Sequence, residues 1–147
     1  MGVKNIEVRE GSIDEIIDIA SQIPEFKDPY RQSEYNTRLK GKKYLALVAT
    51  SHKRLVGFKL GYGIENETLY SWFGGVLPNY RQCGVAKLLA KYQEEWAKKQ
   101  GFCRVRVKTR NSFTPMLLFA IKSGFYIVDL ERHSESKEHR IVLEKEL

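Results

Sequence analysis

The chain is poor in everything that staples or anchors a protein. It has two cysteines, Cys83 and Cys103. A pair so placed makes neither a disulfide framework nor a zinc site, which excludes a cystine-rich secreted scaffold and points to free thiols in a reducing compartment. Of the three histidines, His52 falls in a polar turn, and His133 and His139 lack the Cys or carboxylate spacing of a metal centre, so no metal is expected. No apolar run approaches the roughly 18 residues that cross a bilayer, and no charged-then-apolar leader opens the chain; a soluble, cytoplasmic protein is expected. Met1-Gly2-Val3-Lys4-Asn5-Ile6 begins like an acylation signal but has Ile where Ser or Thr belongs, which excludes N-myristoylation. There is neither an internal repeat nor a low-complexity segment.

What the chain does have is positive charge. Lys and Arg number 25 against 18 Asp and Glu, a formal net charge of +7, and the pI is near 9.4. Such a surface attracts anions in general, whether nucleic acid, an acidic membrane or a multiply phosphorylated cofactor. A length of 147 residues fits one domain, 1–147, with enough chain to bury a core.

Periodicity divides the sequence into the order β-α-α-β-β-β-α-β-α-β-β. Residues 5–9 alternate around Ile6 and Val8. Ser12-Ile13-Asp14-Glu15 reads as a capping box opening a helix that stops at Pro24, with Ile13, Ile16, Ile17 and Ala20 as its core stripe. A short helix is expected over 31–39, a hairpin of strands 44–50 and 55–62 around 51–54, and a further strand over 69–76. A long helix over 84–100 places Val85, Leu88, Leu89, Tyr92 and Trp96 inward, pairs Glu94 with Lys98 and Glu95 with Lys99 outward, and ends at Gly101. Residues 103–109 alternate Val105 and Val107 with Arg104, Arg106 and Lys108, giving a core-facing strand with one dry and one basic face. Thr114 as N-cap and Pro115 in the first turn open a last helix that closes at Gly124, before strands over 125–130 and 140–143. Crossovers occur only around the two later helices, which implies an α/β layered fold: a mixed, mostly antiparallel central sheet flanked by helices.

The stretch Arg81-Gln82-Cys83-Gly84-Val85-Ala86 joins the 69–76 strand to the long helix. The first N–H groups of a helix lack intrahelical partners and carry partial positive charge, so a loop of small residues at that point is a place to hold phosphates. The same residues also read as an ordinary strand-to-helix connection. Gly74-Gly75 in the preceding strand leaves the backbone open to a close ligand.

In its wider setting, Val76-Leu77-Pro78-Asn79-Tyr80-Arg81-Gln82-Cys83-Gly84-Val85-Ala86-Lys87-Leu88-Leu89 closely resembles the central motif of the GNAT N-acetyltransferases. That motif is a strand, Pro-x-Tyr-Arg, then Arg/Gln-x-x-Gly-x-Gly/Ala and a helix. Asn111 and the Lys122-Ser123-Gly124-Phe125 ending resemble the family's next landmark. The resemblance implies acetyl transfer from acetyl-CoA to a primary amine, in a direct ternary complex without a covalent enzyme intermediate. It implies that the backbone of Gln82, Cys83, Gly84, Val85 and Ala86, with Arg81 leading in, holds the pyrophosphate. It further implies that Gly74, Gly75 and Val76 form the splayed strand that bonds the pantetheine arm and polarises the thioester carbonyl. By the same resemblance Asn111 bonds the pantetheine and Phe119 packs on the cofactor.

Two departures concern the catalytic groups. Many family members carry a proton-donating Tyr at the place occupied here by Ala120. The place of a strand-borne Glu base falls near Tyr70, so Tyr70 is the first candidate for assisting amine deprotonation and Glu67 the second. Glu25, Asp28 and Glu34 are candidates for attracting a cationic amine. The glycine spacing excludes a P-loop nucleotidase and a dinucleotide fold. Two readings of another class stay open: an acyl-CoA-binding sensor domain without catalysis, and a basic nucleic-acid-binding module whose affinity falls steeply with salt.

Overall fold

The computed structural model describes residues 5–147, so the acylation-signal reading at Met1 and Gly2 lies outside the described residues. Its elements follow the expected order: β1 (Ile6–Glu10), α1 (Ile13–Ser21), α2 (Gln32–Leu39), β2 (Tyr44–Ser51), β3 (Arg54–Ile64), β4 (Thr68–Val76), α3 (Val85–Lys99), β5 (Arg104–Arg110), α4 (Thr114–Lys122), β6 (Tyr126–Glu131) and β7 (Arg140–Glu146). Short 3-10 turns add Pro78–Tyr80 and Ser136–Glu138. The seven strands form one open sheet in the order β1-β2-β3-β4-β5-β7-β6, antiparallel throughout except where β4 meets β5.

Local chemistry sets the element ends. The Ser12 hydroxyl accepts from the Glu15 N–H at 3.1 Å and Glu15 accepts from the Ser12 N–H at 2.9 Å, the reciprocal box that starts α1. His52 and Lys53 both take positive φ, +49° and +69°, the conformation whose twist suits a two-residue hairpin between β2 and β3. At α4 the first turn opens one residue earlier than expected: Phe113 is the N-cap, makes no side-chain cap bond, and Thr114 is already helical.

Helices cover both faces of the sheet. Ile16 and Ile19 of α1 and Tyr35 and Leu39 of α2 bury against Val48, Phe58 and Leu60. Val85 and Leu89 of α3 bury against Leu45, Leu47 and Val56, and Ala120 of α4 against Val107, Ile141 and Leu143. The inward stripe of α3 is rotated from expectation, with Tyr92 44% exposed and Gln93 and Ala97 buried in its place. Glycines in β3 allow this close seating: a Cβ at Gly57 would lie 3.1 Å from Val85 Cγ1, and one at Gly61 would lie 2.8 Å from Gln93 Nε2. Glu94 turns to Lys145 of β7 at 2.9 Å instead of to Lys98.

The basic face of β5 is neutralised by carboxylates from the neighbouring segments. Arg104 pairs with Glu146, Arg106 with Glu144, Lys108 with Glu131 and Arg110 with Glu138. Cys103 precedes the strand and is exposed, because its thiol donates to Glu67 across the β3–β4 turn at 2.9 Å and does not enter the core. Among the described residues no helix is long and apolar enough to cross a membrane.

Candidate active site

The sheet opens where the two halves meet. β4 and β5 pair in parallel only at Thr68↔Arg104, Leu69↔Val105 and Tyr70↔Arg106, although β4 continues to Val76 and β5 to Arg110. Beyond Tyr70 the strands diverge, and the β4 backbone on that side has no strand to bond. A bulge accompanies the divergence: Gly61 faces Ser71 and Leu60 faces Phe73, leaving Trp72 as the extra residue. Gly74 and Gly75 follow in the splayed segment. Gly75 also lets the Ile23 side chain pack close, since a Cβ there would lie 2.6 Å from Ile23 Cδ1.

The Gln82–Gly84 loop lies at the mouth of this opening and leads into α3. Gln82 and Gly84 both take positive φ, +59° and +84°, an arrangement that turns backbone N–H groups into a concave cluster. Open space surrounds Gly84, with no atom within 4 Å of a Cβ built there. The first backbone bond of the helix runs from the Leu88 N–H to the Gly84 carbonyl. The N–H groups of Val85, Ala86 and Lys87 are therefore without a backbone partner among the described residues, in the geometry that favours an anion.

Arg81 does not point into this cluster. Its guanidinium donates to Glu25 through two bonds, 2.8 and 2.9 Å, and its Nε donates to the Val76 carbonyl at 3.1 Å. The arrangement fixes the loop against the end of β4 and against the segment after α1. Hydrogen bonding from Arg81 holds the Glu25 carboxyl down to about 2. Cys83 is half-buried, its thiol 3.3 Å from the Arg81 carbonyl. Asn111, at the end of β5, donates from Nδ2 to the Ser136 carbonyl and from its N–H to the His139 carbonyl. It thereby ties β5 to the β6–β7 connection.

Beneath the splay, between α3 and α4, a narrow cavity of about 20 Å³ is lined by Lys59, Ser71, Gln93, Phe119 and Ala120, among others. That is room for about one water molecule. Gln93 Nε2 is buried there without a hydrogen-bond partner among the described residues. Lys59 shares this cavity with Ala120, so an ionisable group lines the space that Ala120 leaves open. Burial lowers the Lys59 ammonium to about 8, with Glu94 opposing. Sequence reading missed Lys59, although a lysine amid Val56, Phe58 and Leu60 interrupts an otherwise apolar strand.

On the opposite face, a cleft of about 350 Å³ lies beside the bulge, lined by Tyr30, Ser33, Glu34, Thr37, Arg38 and Trp72. Arg38 stacks over Trp72 at 4.4 Å and reaches the Tyr62 hydroxyl at 3.5 Å. Tyr70 stands at the last paired position before the splay, its ring edge-on to Tyr62 at 5.6 Å. Burial pushes the Tyr70 phenol above its usual range and Tyr62 adds to this, while Arg140 and Arg38 pull the other way. Glu67 lies at the other end of β4, in the turn, occupied by the Cys103 thiol. Of the early acidic residues, Glu25 is held by Arg81, and Glu34 accepts from the Arg31 N–H at 3.0 Å while also lining the cleft.

Known structures share this architecture. The ribosomal-protein-S18-alanine N-acetyltransferase of Escherichia coli superposes with a TM-score of 0.81 at 14% identity, covering 96% of this chain and 93% of that one. Ard1 of Thermoplasma volcanium gives 0.80 at 21% identity, with 97% of each chain covered. A GNAT family acetyltransferase of Elizabethkingia anophelis, solved with acetyl-CoA bound, gives 0.78 at 20% identity, covering 98% of this chain and 99% of that one. Sequence comparison with curated proteins gives no match. The profile of the acetyltransferase (GNAT) family matches residues 13–125. With that match spanning most of the chain, and with a splayed β4–β5 pair leading to the loop ahead of α3, the protein belongs to the GNAT acetyltransferase family.

Proposed function

We propose that the protein is an acetyl-CoA-dependent N-acetyltransferase acting on a primary amine. The observation that carries this reading is the divergence of β4 and β5 directly ahead of the open N–H groups at residues 82–87. An extended thioester arm can take the strand-like place left vacant beside Gly74, Gly75 and Val76, and its pyrophosphate can end on the helix N-terminus. Phe119 lines the cavity beneath the arm. The charge pairing along β5 also argues against nucleic acid, since that basic face is already matched by Glu131, Glu138, Glu144 and Glu146.

In the reaction the amine nitrogen attacks the thioester carbonyl from the Trp72 face, the C–N bond forms and the C–S bond breaks. Backbone N–H groups of the splayed strand stabilise the oxyanion. The nitrogen loses one proton and the departing thiolate gains one. Tyr70, a phenol kept neutral by its raised pKa, orients the amine or the water that takes its proton and does not itself ionise. Lys59 is our proton donor for the thiolate, because it shares the cavity of Ala120 and its value of about 8 lies close to the roughly 8.5 of a free thiol. Incubating the protein with acetyl-CoA and a panel of primary amines, with detection of released thiol, tests the activity. Acetyl-amine formation is expected, and acetyl-CoA binding without turnover of any amine would favour the sensor reading.

A further inference from the structure

The cleft on the face from which an amine would attack is lined by one cation, Arg38, and one carboxylate, Glu34, whose Oε1 accepts from the Arg31 N–H. Arg38 comes from α2 and lines the cleft beside Trp72. Among the described residues it forms no ion pair with a carboxylate. This sets it apart from the β5 cations, each of which has its acid. Arg38 also lies one helical turn after Glu34, the spacing at which such residues ordinarily pair. Here Glu34 turns back to the Arg31 N–H, while the guanidinium lies over Trp72, 4.4 Å from the ring centroid, beside the cleft. One guanidinium N–H donates to the Tyr62 hydroxyl at 3.5 Å, and the remaining N–H groups of the planar fork can meet a carboxylate or phosphate.

Size and lining narrow the class further. A cleft of about 350 Å³ falls at the lower end of the range typical for small-molecule sites, roughly 300–1,000 Å³. Its walls place the rings of Tyr30 and Trp72, 5.1 Å apart, beside the Arg38 guanidinium.

We infer that the acceptor is a small primary amine bearing an oxyanion, carboxylate or phosphate, which Arg38 binds against the Tyr30–Trp72 wall. The inference rests on the acetyltransferase reading for the identity of the reacting group, but binding of the anionic end does not require turnover. Selectivity comes from charge: a polyamine meets the unpaired Arg38 guanidinium with like sign, whereas an amino carboxylate meets it with the opposite sign.

The test uses acceptor pairs that differ only in the anion, phenylalanine against phenethylamine and phosphoethanolamine against ethanolamine, with spermidine as the cationic extreme. Two readouts are taken on the CoA-saturated protein: acetyl transfer from acetyl-CoA by thiol release, and direct binding by ligand-observed NMR. The anionic member of at least one pair is expected to win by about tenfold or more in kcat/KM or in affinity, the scale of a charge-assisted contact. The pair that responds tells carboxylate from phosphate. Arg38→Gln should abolish that preference while leaving CoA affinity unchanged, since Arg38 is exposed and outside the donor site. Equal treatment of both members of each pair, a preference for spermidine, or a preference that survives Arg38→Gln would overturn the inference. If anionic amines bind selectively but none is acetylated, the activity reading fails and the ligand assignment stands.

Discussion

Arg81 and Glu25, separated by 56 positions, are joined by two hydrogen bonds of 2.8 and 2.9 Å, which bridge the segment after α1 and the loop before α3. The Arg81 side chain is committed to holding the loop in shape. Glu25→Gln is expected to lower the thermal midpoint slightly, by no more than an exposed pair supplies, about 1 kcal/mol or less. It should weaken acetyl-CoA binding because the loop loses its brace. Hydrogen bonding to Arg81 lowers the folded-state value of Glu25 to about 2 from the ordinary 4.5 of a free glutamate. The stabilisation is therefore complete above about pH 4.5 and is lost as the pH falls through about 2. Midpoints of parent and Glu25→Gln measured from pH 7 downward should converge across that window; a constant gap would mean that the pair contributes nothing through its charge.

Gly84 combines a φ of +84° with open space around its missing side chain. Gly84→Glu sets a strained backbone and a like charge where the pyrophosphate is expected, and like-charge contacts cost several kcal/mol. Calorimetry should show acetyl-CoA affinity falling by about tenfold or more. An unchanged affinity would remove the loop from the donor site.

Cys83 and Cys103 provide a footprint of the same loop. Cys83 sits beside the open N–H groups, whereas Cys103 is exposed but bonded to Glu67, which raises its thiol above the ordinary range and leaves less thiolate. Alkylation followed by mass spectrometry should show Cys83 protected by CoA and Cys103 indifferent to it. Equal Cys83 rates with and without CoA would contradict the placement.

Lys59 carries two linked expectations. Because burial lowers its value to about 8, the protonated form is disfavoured in the folded state, so stability should rise between about pH 8 and the unfolded value near 10.4. Lys59→Met should melt higher than the parent at pH 7, with the difference shrinking toward pH 10. In single-turnover assays the same variant should lose about 10²-fold in rate together with the decline above about pH 8, within the range of one acid–base group. Tyr70→Phe should reduce the rate without removing that decline. A Lys59→Met enzyme with the parental rate and profile would exclude Lys59 as the donor.

Order and type of every element were legible because each carries its own signal: the Ser12–Glu15 box, the glycines ending helices, and the alternation along β5. The rotation of α3 was not legible, since Tyr92 and Gln93 are adjacent and only the glycines facing the helix decide which is buried. Nor was the fate of the charges. Glu94 has a helical partner at Lys98 in sequence, and only the return of β7 beneath α3 brings Lys145 closer. The donor loop announced itself through contiguous residues, whereas the acceptor cleft draws Tyr30, Arg38 and Trp72 from three separated segments, and no spacing in the sequence joins them.

The proposed donor site is the splay between β4 and β5. Amide NMR of the labelled protein titrated with CoA tests this most directly. The largest shifts are expected at residues 73–76 along the β4 side of the opening and at 82–87 at its mouth, with β1 and α1 unaffected. Saturable shifts confined to another surface, or none at millimolar CoA, would contradict it.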